Sequence, residues 1–176
     1  MVPTCNFEMQ VRGDEQSINV FMSKFSEKST PRFPHIHRIE ETDRSIINGQ
    51  TVVSFAGACD WSILTCFTFA PSGYARLTET FTCVEDESKQ LNLDVNIIGE
   101  TPAEYLAEHI RCINGAIIVY ETQPIKEFWW NPETRESFAD FCAENEIPNE
   151  YTDEDIDGDG YIVIGQYTKP DVDWIE

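Results

Sequence analysis

The stretch Asp155-Ile156-Asp157-Gly158-Asp159-Gly160-Tyr161-Ile162 sets carboxylates at three alternate positions and a glycine after the third. Hard oxygen donors at that spacing can wrap a calcium ion, and the glycine lets the chain bend back, as in the first eight positions of an EF-hand loop. Asp155, Asp157 and Asp159 are therefore candidate metal ligands, and a divalent cation, calcium or magnesium, is the cofactor they would take. The pattern then stops: position 12 is Gln166 rather than a bidentate glutamate, and the exit reads as a strand. The same residues equally describe an Asp/Gly-rich turn leading into a strand.

A second group could do acid–base work. Asp60 lies in Gly57-Ala58-Cys59-Asp60-Trp61-Ser62, between a predicted strand and a predicted helix, and Glu104, Glu108 and His109 are close in sequence. Carboxylates that hold a divalent ion can activate water for phosphodiester cleavage. Asp60, Glu104, Glu108 and His109 are thus the candidate catalytic residues of a metal-assisted nuclease. Asp60 serves equally as a helix N-cap, with Trp61 a core aromatic. Cys59 has no basic neighbour in sequence to activate its thiol. His35 and His37 share one face of a predicted strand, an acceptable spacing for two metal ligands, but a third would have to come from elsewhere in the chain. Otherwise they are surface residues. Phe128-Trp129-Trp130 is either a core plug or an interface anchor.

Charge narrows the partners. The chain has 176 residues with 32 acidic and 12 basic side chains, a formal net charge of −20. That field opposes free nucleic acid and anionic membranes, which need a basic footprint. Residues 127–176 hold 15 acids against 2 bases. Such a segment is either a solvated face or a surface aimed at a basic protein groove. With Trp61, Trp129 and Trp130, the acids Glu144, Glu146 and Glu150 are the candidate binding residues.

The elements that must position these residues follow from periodicity. Phe7, Met9 and Val11 alternate with polar residues as a half-buried strand. Asp14 caps a helix over 15–26 with Ile18, Phe21, Met22 and Phe25 on one side. Strands at 35–41 and 51–56 flank Asn48-Gly49, a hairpin signal that recurs at Asn114-Gly115 between 107–113 and 116–123. Asp60 opens a second helix through Phe67, broken by Pro71-Ser72-Gly73, and a third runs from about Thr82 to Leu91. Leu93, Val95 and Ile97 alternate as a strand, Asn131-Pro132-Glu133 starts a last helix, and Tyr161–Ile164 is a last strand. Strands arriving in hairpin pairs predict an α+β fold: a mainly antiparallel sheet with helices on one face and a ferredoxin-like core. One domain is expected, a core over 5–126 with the acidic extension 127–176 packed on it. Six cysteines without a Cys-x-x-Cys pair read as free and buried, not as a zinc site. No leader pattern opens the chain and no run of eighteen apolar residues occurs, which predicts a cytosolic protein.

Three places carry a resemblance. Cys5-Asn6 leads into a strand ending Val11-x-Gly13 and then a helix. Gly57-x-Cys59-Asp60-Trp61-Ser62 and the run from Glu87 through Leu91, Leu93, Val95, Glu108-His109 and Asn114-Gly115 are the others. Across most of residues 5–130 the chain resembles the Api92-like family of phage and mobile-element proteins, with Asp60 where that family has alanine; the Asp-rich loop departs from its pattern. The resemblance implies a ferredoxin-like fold and a mobile-element origin. The chain also looks like a type II anti-CRISPR protein. That implies an anti-defence inhibitor in the host cytosol, blocking a Cas9-type effector at its basic nucleic-acid-handling surface or its guide RNA. A metal-assisted nuclease that truncates the guide RNA, and a weak calcium-binding module, are the competing expectations.

Overall fold

The computed structural model describes residues 3–68, 81–101, 106–124, 126–131, 133, 137–147 and 151–164. In chain order the elements are β1 (Thr4–Gly13), α1 (Glu15–Ser23), β2 (Ile36–Ile47), β3 (Gln50–Asp60), α2 (Ile63–Phe67), α3 (Val84–Leu91), β4 (Asp94–Thr101), β5 (Leu106–Ile113), β6 (Ala116–Pro124), β7 (Lys126–Trp129), α4 (Phe138–Glu144) and β8 (Tyr161–Ile164), with a 3-10 turn at Asp153–Asp155. The fold is α+β. Six strands form an antiparallel sheet in the order β2-β3-β1-β4-β5-β6, and β7 pairs with β8 in a separate two-stranded sheet.

The chain divides between Gln123 and Pro124 into two compact units. In the first, the alternation read in β1 sends Cys5, Phe7, Met9 and Val11 inward. Their register partners Phe55 and Val53 on β3 and Ile97 and Val95 on β4 share that face. Ile18 and Phe21 of α1, Ile63 and Phe67 of α2 and Val84 of α3 complete one core on it. Phe7, Phe21, Phe25, Phe33 and Phe67 meet there at ring separations of 4.7–6.1 Å. Gly99 lets α2 approach: a Cβ there would stand 2.4 Å from Ile63 Cγ2 and 2.9 Å from Cys5 Sγ. The opposite face carries exposed Asn6 and Glu8. All six cysteines are free and buried, as their spacing predicts.

The second unit, Pro124–Gln166, has its own small core of Phe141, Cys142, Ile147 and Ile162, with Phe128, Trp130 and Phe138 packed against it. Both Asn-Gly turns form as read, with positive φ at all four residues: Asn48 (51°), Gly49 (79°), Asn114 (47°) and Gly115 (82°). Asp14 caps α1, accepting the Ser17 N–H at 3.0 Å.

Several boundaries differ from the sequence reading: α1 ends at Ser23 rather than 26, and α3 starts at Val84 rather than Thr82. Asp60 does not open α2: it ends β3, and Ser62 caps the helix, its Oγ accepting the Thr65 N–H at 3.2 Å. A serine two residues later competes well for the cap. The last helix begins not at Asn131-Pro132 but at Phe138, capped by Ser137. Asn131 Oδ1 instead accepts the Glu133 N–H, an Asx turn that bends the chain locally. The aromatic run at 128–129 is in a strand, because β8 supplies a ladder for it. The hairpin β2–β3 is longer than its apolar runs suggested. The expected break at Pro71-Ser72-Gly73 lies outside the described residues. Among the described residues no helix is long and apolar enough to cross a membrane.

Candidate functional site

Asp60 gathers a site at the end of the β2–β3 hairpin. Its Oδ1 stands 2.5 Å from His37 Nε2 and its Oδ2 3.5 Å from His35 Nδ1. The backbone fixes this clasp: the Asp60 N–H donates to the His35 carbonyl at 3.1 Å. His35 and Trp61 both hold left-handed backbone, φ 57° and 62°, which costs non-glycine residues energy. Trp61 is kept there by its N–H donating to Pro3 O at 2.8 Å and its carbonyl accepting from Thr101 Oγ1 at 2.8 Å. Its ring stands edge-on to His35, with centroids 4.8 Å apart. The carboxylate orients two imidazoles, and His37 is half-exposed beside it.

The other candidate catalytic residues lie elsewhere. Glu108 points to the helix side of β5, 2% exposed, and accepts the Ile63 N–H at 3.0 Å. His109, next along the strand, faces the other side, its Nε2 2.7 Å from Asn96 Oδ1. Burial pushes its pKa down and Arg111 adds to that, against an upward pull from Glu121. Asp60 and His109 sit on β3 and β5, three strand spacings apart across the sheet, about 14 Å. Glu104 lies outside the described residues. Asp60, Glu108 and His109 therefore do not converge on one ion or one substrate. No group of three or more His, Cys, Asp or Glu side chains among the described residues has an arrangement that could hold a metal ion.

Cys59 lies directly opposite Cys5 across β1 and β3 and is fully buried. Hydrogen bonding with Cys5 and Cys66, together with burial, pushes its thiol up, away from the thiolate a nucleophile needs.

In the second unit two aspartates of the 155–159 loop, Asp155 and Asp157, turn toward their own backbone. Asp155 Oδ2 accepts the Thr152 N–H at 2.7 Å in a capping box. Asp157 Oδ1 accepts the N–H groups of Asp159 and Tyr161, both at 2.9 Å. These bonds build a turn with Gly160 at φ 87°, leading into β8.

No protein-family model, curated protein or solved structure matches the chain. The side chains themselves must carry any functional reading.

Trp129 and Trp130 part company. Trp130 packs into the small core, 5.3 Å from the Phe138 ring. Trp129 is 55% exposed, and its register partner Tyr161 is 41% exposed. The described acids of this unit from Glu133 onward face solvent: Glu133, Asp140, Glu144, Glu146, Asp153, Glu154, Asp155, Asp157 and Asp159 are all exposed. Glu150 lies outside the described residues. Sequence reasoning missed two groupings, His35–Asp60–His37 and Trp129–Tyr161; the signal for the first was the hairpin at Asn48-Gly49, which brings the two strands together.

Proposed function

We propose that this chain is an anti-defence inhibitor that docks on a basic, nucleic-acid-handling host protein in the host cytosol. The concrete form is an anti-CRISPR protein bound to a Cas9-type effector with its guide RNA. One observation carries it: every described acidic side chain of the second unit from Glu133 to Asp159 is exposed. Between residues 124 and 166 the bases are Lys126 and Arg135 alone. Such a surface is attracted to the positive channels that hold guide and target, and competes there with nucleic acid. A ferredoxin-like core belongs to the same reading. Its support is the strand order β4-β1-β3-β2 across a β-α-β-β-α-β succession, with β5 and β6 added beyond β4.

The metal-assisted nuclease finds less support, because Asp60, Glu108 and His109 do not converge. One assay separates the two. Incubated with a guide-loaded type II effector, with and without magnesium, the protein should abolish target cleavage and leave the guide at full length. Unchanged cleavage at saturating protein would overturn the inhibitor. A shortened guide would replace docking by RNA processing.

A further inference from the structure

Strand alternation in the two-stranded sheet has a consequence for what this surface recognises. Phe128 pairs with Ile162, and both belong to the small core. The next pair along the ladder, Trp129 and Tyr161, must then stand on the other face, directly opposite each other. Cross-strand neighbours at such positions have Cβ atoms about 5 Å apart, so the two side chains make one aromatic patch. Large aromatic groups usually find cover; here two in register remain exposed. Gly160 brings the preceding loop under the Trp129 ring: a Cβ at Gly160 would lie 3.2 Å from Trp129 Nε1. That loop carries exposed Asp157 and Asp159. The Trp130 N–H donates to the Gly160 carbonyl at 2.9 Å, which fixes loop and aromatic pair together.

Aromatic faces beside carboxylates fit one protein side chain best. An arginine guanidinium is planar and weakly hydrated; it stacks on rings while its N–H groups reach carboxylates. A lysine ammonium has the same charge but a compact, strongly hydrated head. Nucleic acid bases would also stack on the rings, but the surrounding acids repel their phosphates. We propose that Trp129 and Tyr161, with Asp157 and Asp159 beside them, form the anchor that takes an arginine side chain from the basic surface of the partner protein. This rests on the docking function proposed above and names the chemistry of its contact.

The test uses the full chain and two peptides of equal charge, hexa-arginine and hexa-lysine, with binding followed by calorimetry at fixed salt. The wild type should prefer hexa-arginine by about tenfold, the scale of one partly desolvated cation–π contact. Trp129→Ala should erase that preference while leaving hexa-lysine binding unchanged, and Tyr161→Phe, which keeps the ring, should retain it. Equal affinity for both peptides in the wild type, or a preference that survives Trp129→Ala, would overturn the anchor, as would tighter binding of a single-stranded oligonucleotide than of hexa-arginine. The effector assay separates the failures. Inhibition retained by Trp129→Ala would remove the anchor and leave the docking function standing. Arginine preference without inhibition of any effector would do the reverse.

Discussion

The side chain of Glu108 on β5 accepts the backbone N–H of Ile63, the first residue of α2, at 3.0 Å. The contact spans 45 positions of sequence and is fully buried. It joins a strand to a helix start that would otherwise leave a donor without a partner in the core. A residue that looks catalytic beside His109 in the sequence thus holds two elements together.

Glu108→Ala should therefore destabilise the first unit, by about 1–3 kcal/mol, the usual cost of stranding a buried donor. Glu108→Gln, which keeps an acceptor in place, should lose less. Urea unfolding of the two variants and the wild type gives the comparison. A neutral Glu108→Ala would mean that the helix start finds another acceptor.

His109 makes stability depend on pH. Burial and Arg111 hold its folded-state pKa below the ordinary value, outweighing Glu121, so the folded protein resists taking the proton. The unfolded chain takes it at about pH 6.5. As pH falls through that value toward the folded pKa, the unfolded state binds more protons, and stability declines. Above it, the contribution is flat. His109→Gln retains a partner for Asn96 and should remove this part of the decline. Unfolding free energies between neutral and mildly acid pH test it; identical slopes for variant and wild type would count against it.

The aspartate loop makes a third prediction. Asp157 accepts two N–H groups within the turn, so Asp157→Ala should cost the second unit stability, about 1 kcal/mol per hydrogen bond removed. The loss should be the same with calcium as with a chelator, since Asp157 Oδ1 serves the backbone. Calcium-dependent melting of the wild type that vanishes in Asp157→Ala would instead make the loop a cation site.

Particular residues show what the sequence carried. Both Asn-Gly turns, the alternation of Phe7, Met9 and Val11, and the Asp14 cap are local signals, and the structure keeps each. The start of α2 was not legible, because Asp60 and Ser62 are both competent caps and long-range contacts decide between them. Asp60 is drawn into β3 by its backbone bond to His35 and by two histidines. Counting outward from Asn48-Gly49 in an unbroken ladder puts His37 opposite Asp60, so their meeting was in reach of arithmetic. Register shifts between Glu41/Asp43 and Ile36/Arg38 change the pairing but leave them in contact. The exposed Trp129–Tyr161 pair was hidden for a different reason: four-residue strands have too few residues to show a period, and only their mutual pairing reveals which ring faces out.

The most direct test of the central claim is the affinity for a guide-loaded Cas9-type effector as salt is varied. It should be measured for the wild type and for the triple variant Glu133→Gln, Asp153→Asn, Glu154→Gln, three exposed acids of the second unit. Docking through this acidic surface predicts affinity that falls steeply with salt, and about tenfold weaker binding by the variant at low salt, a gap that closes as salt screens both. An affinity indifferent to salt, or equal for the two proteins, would contradict it.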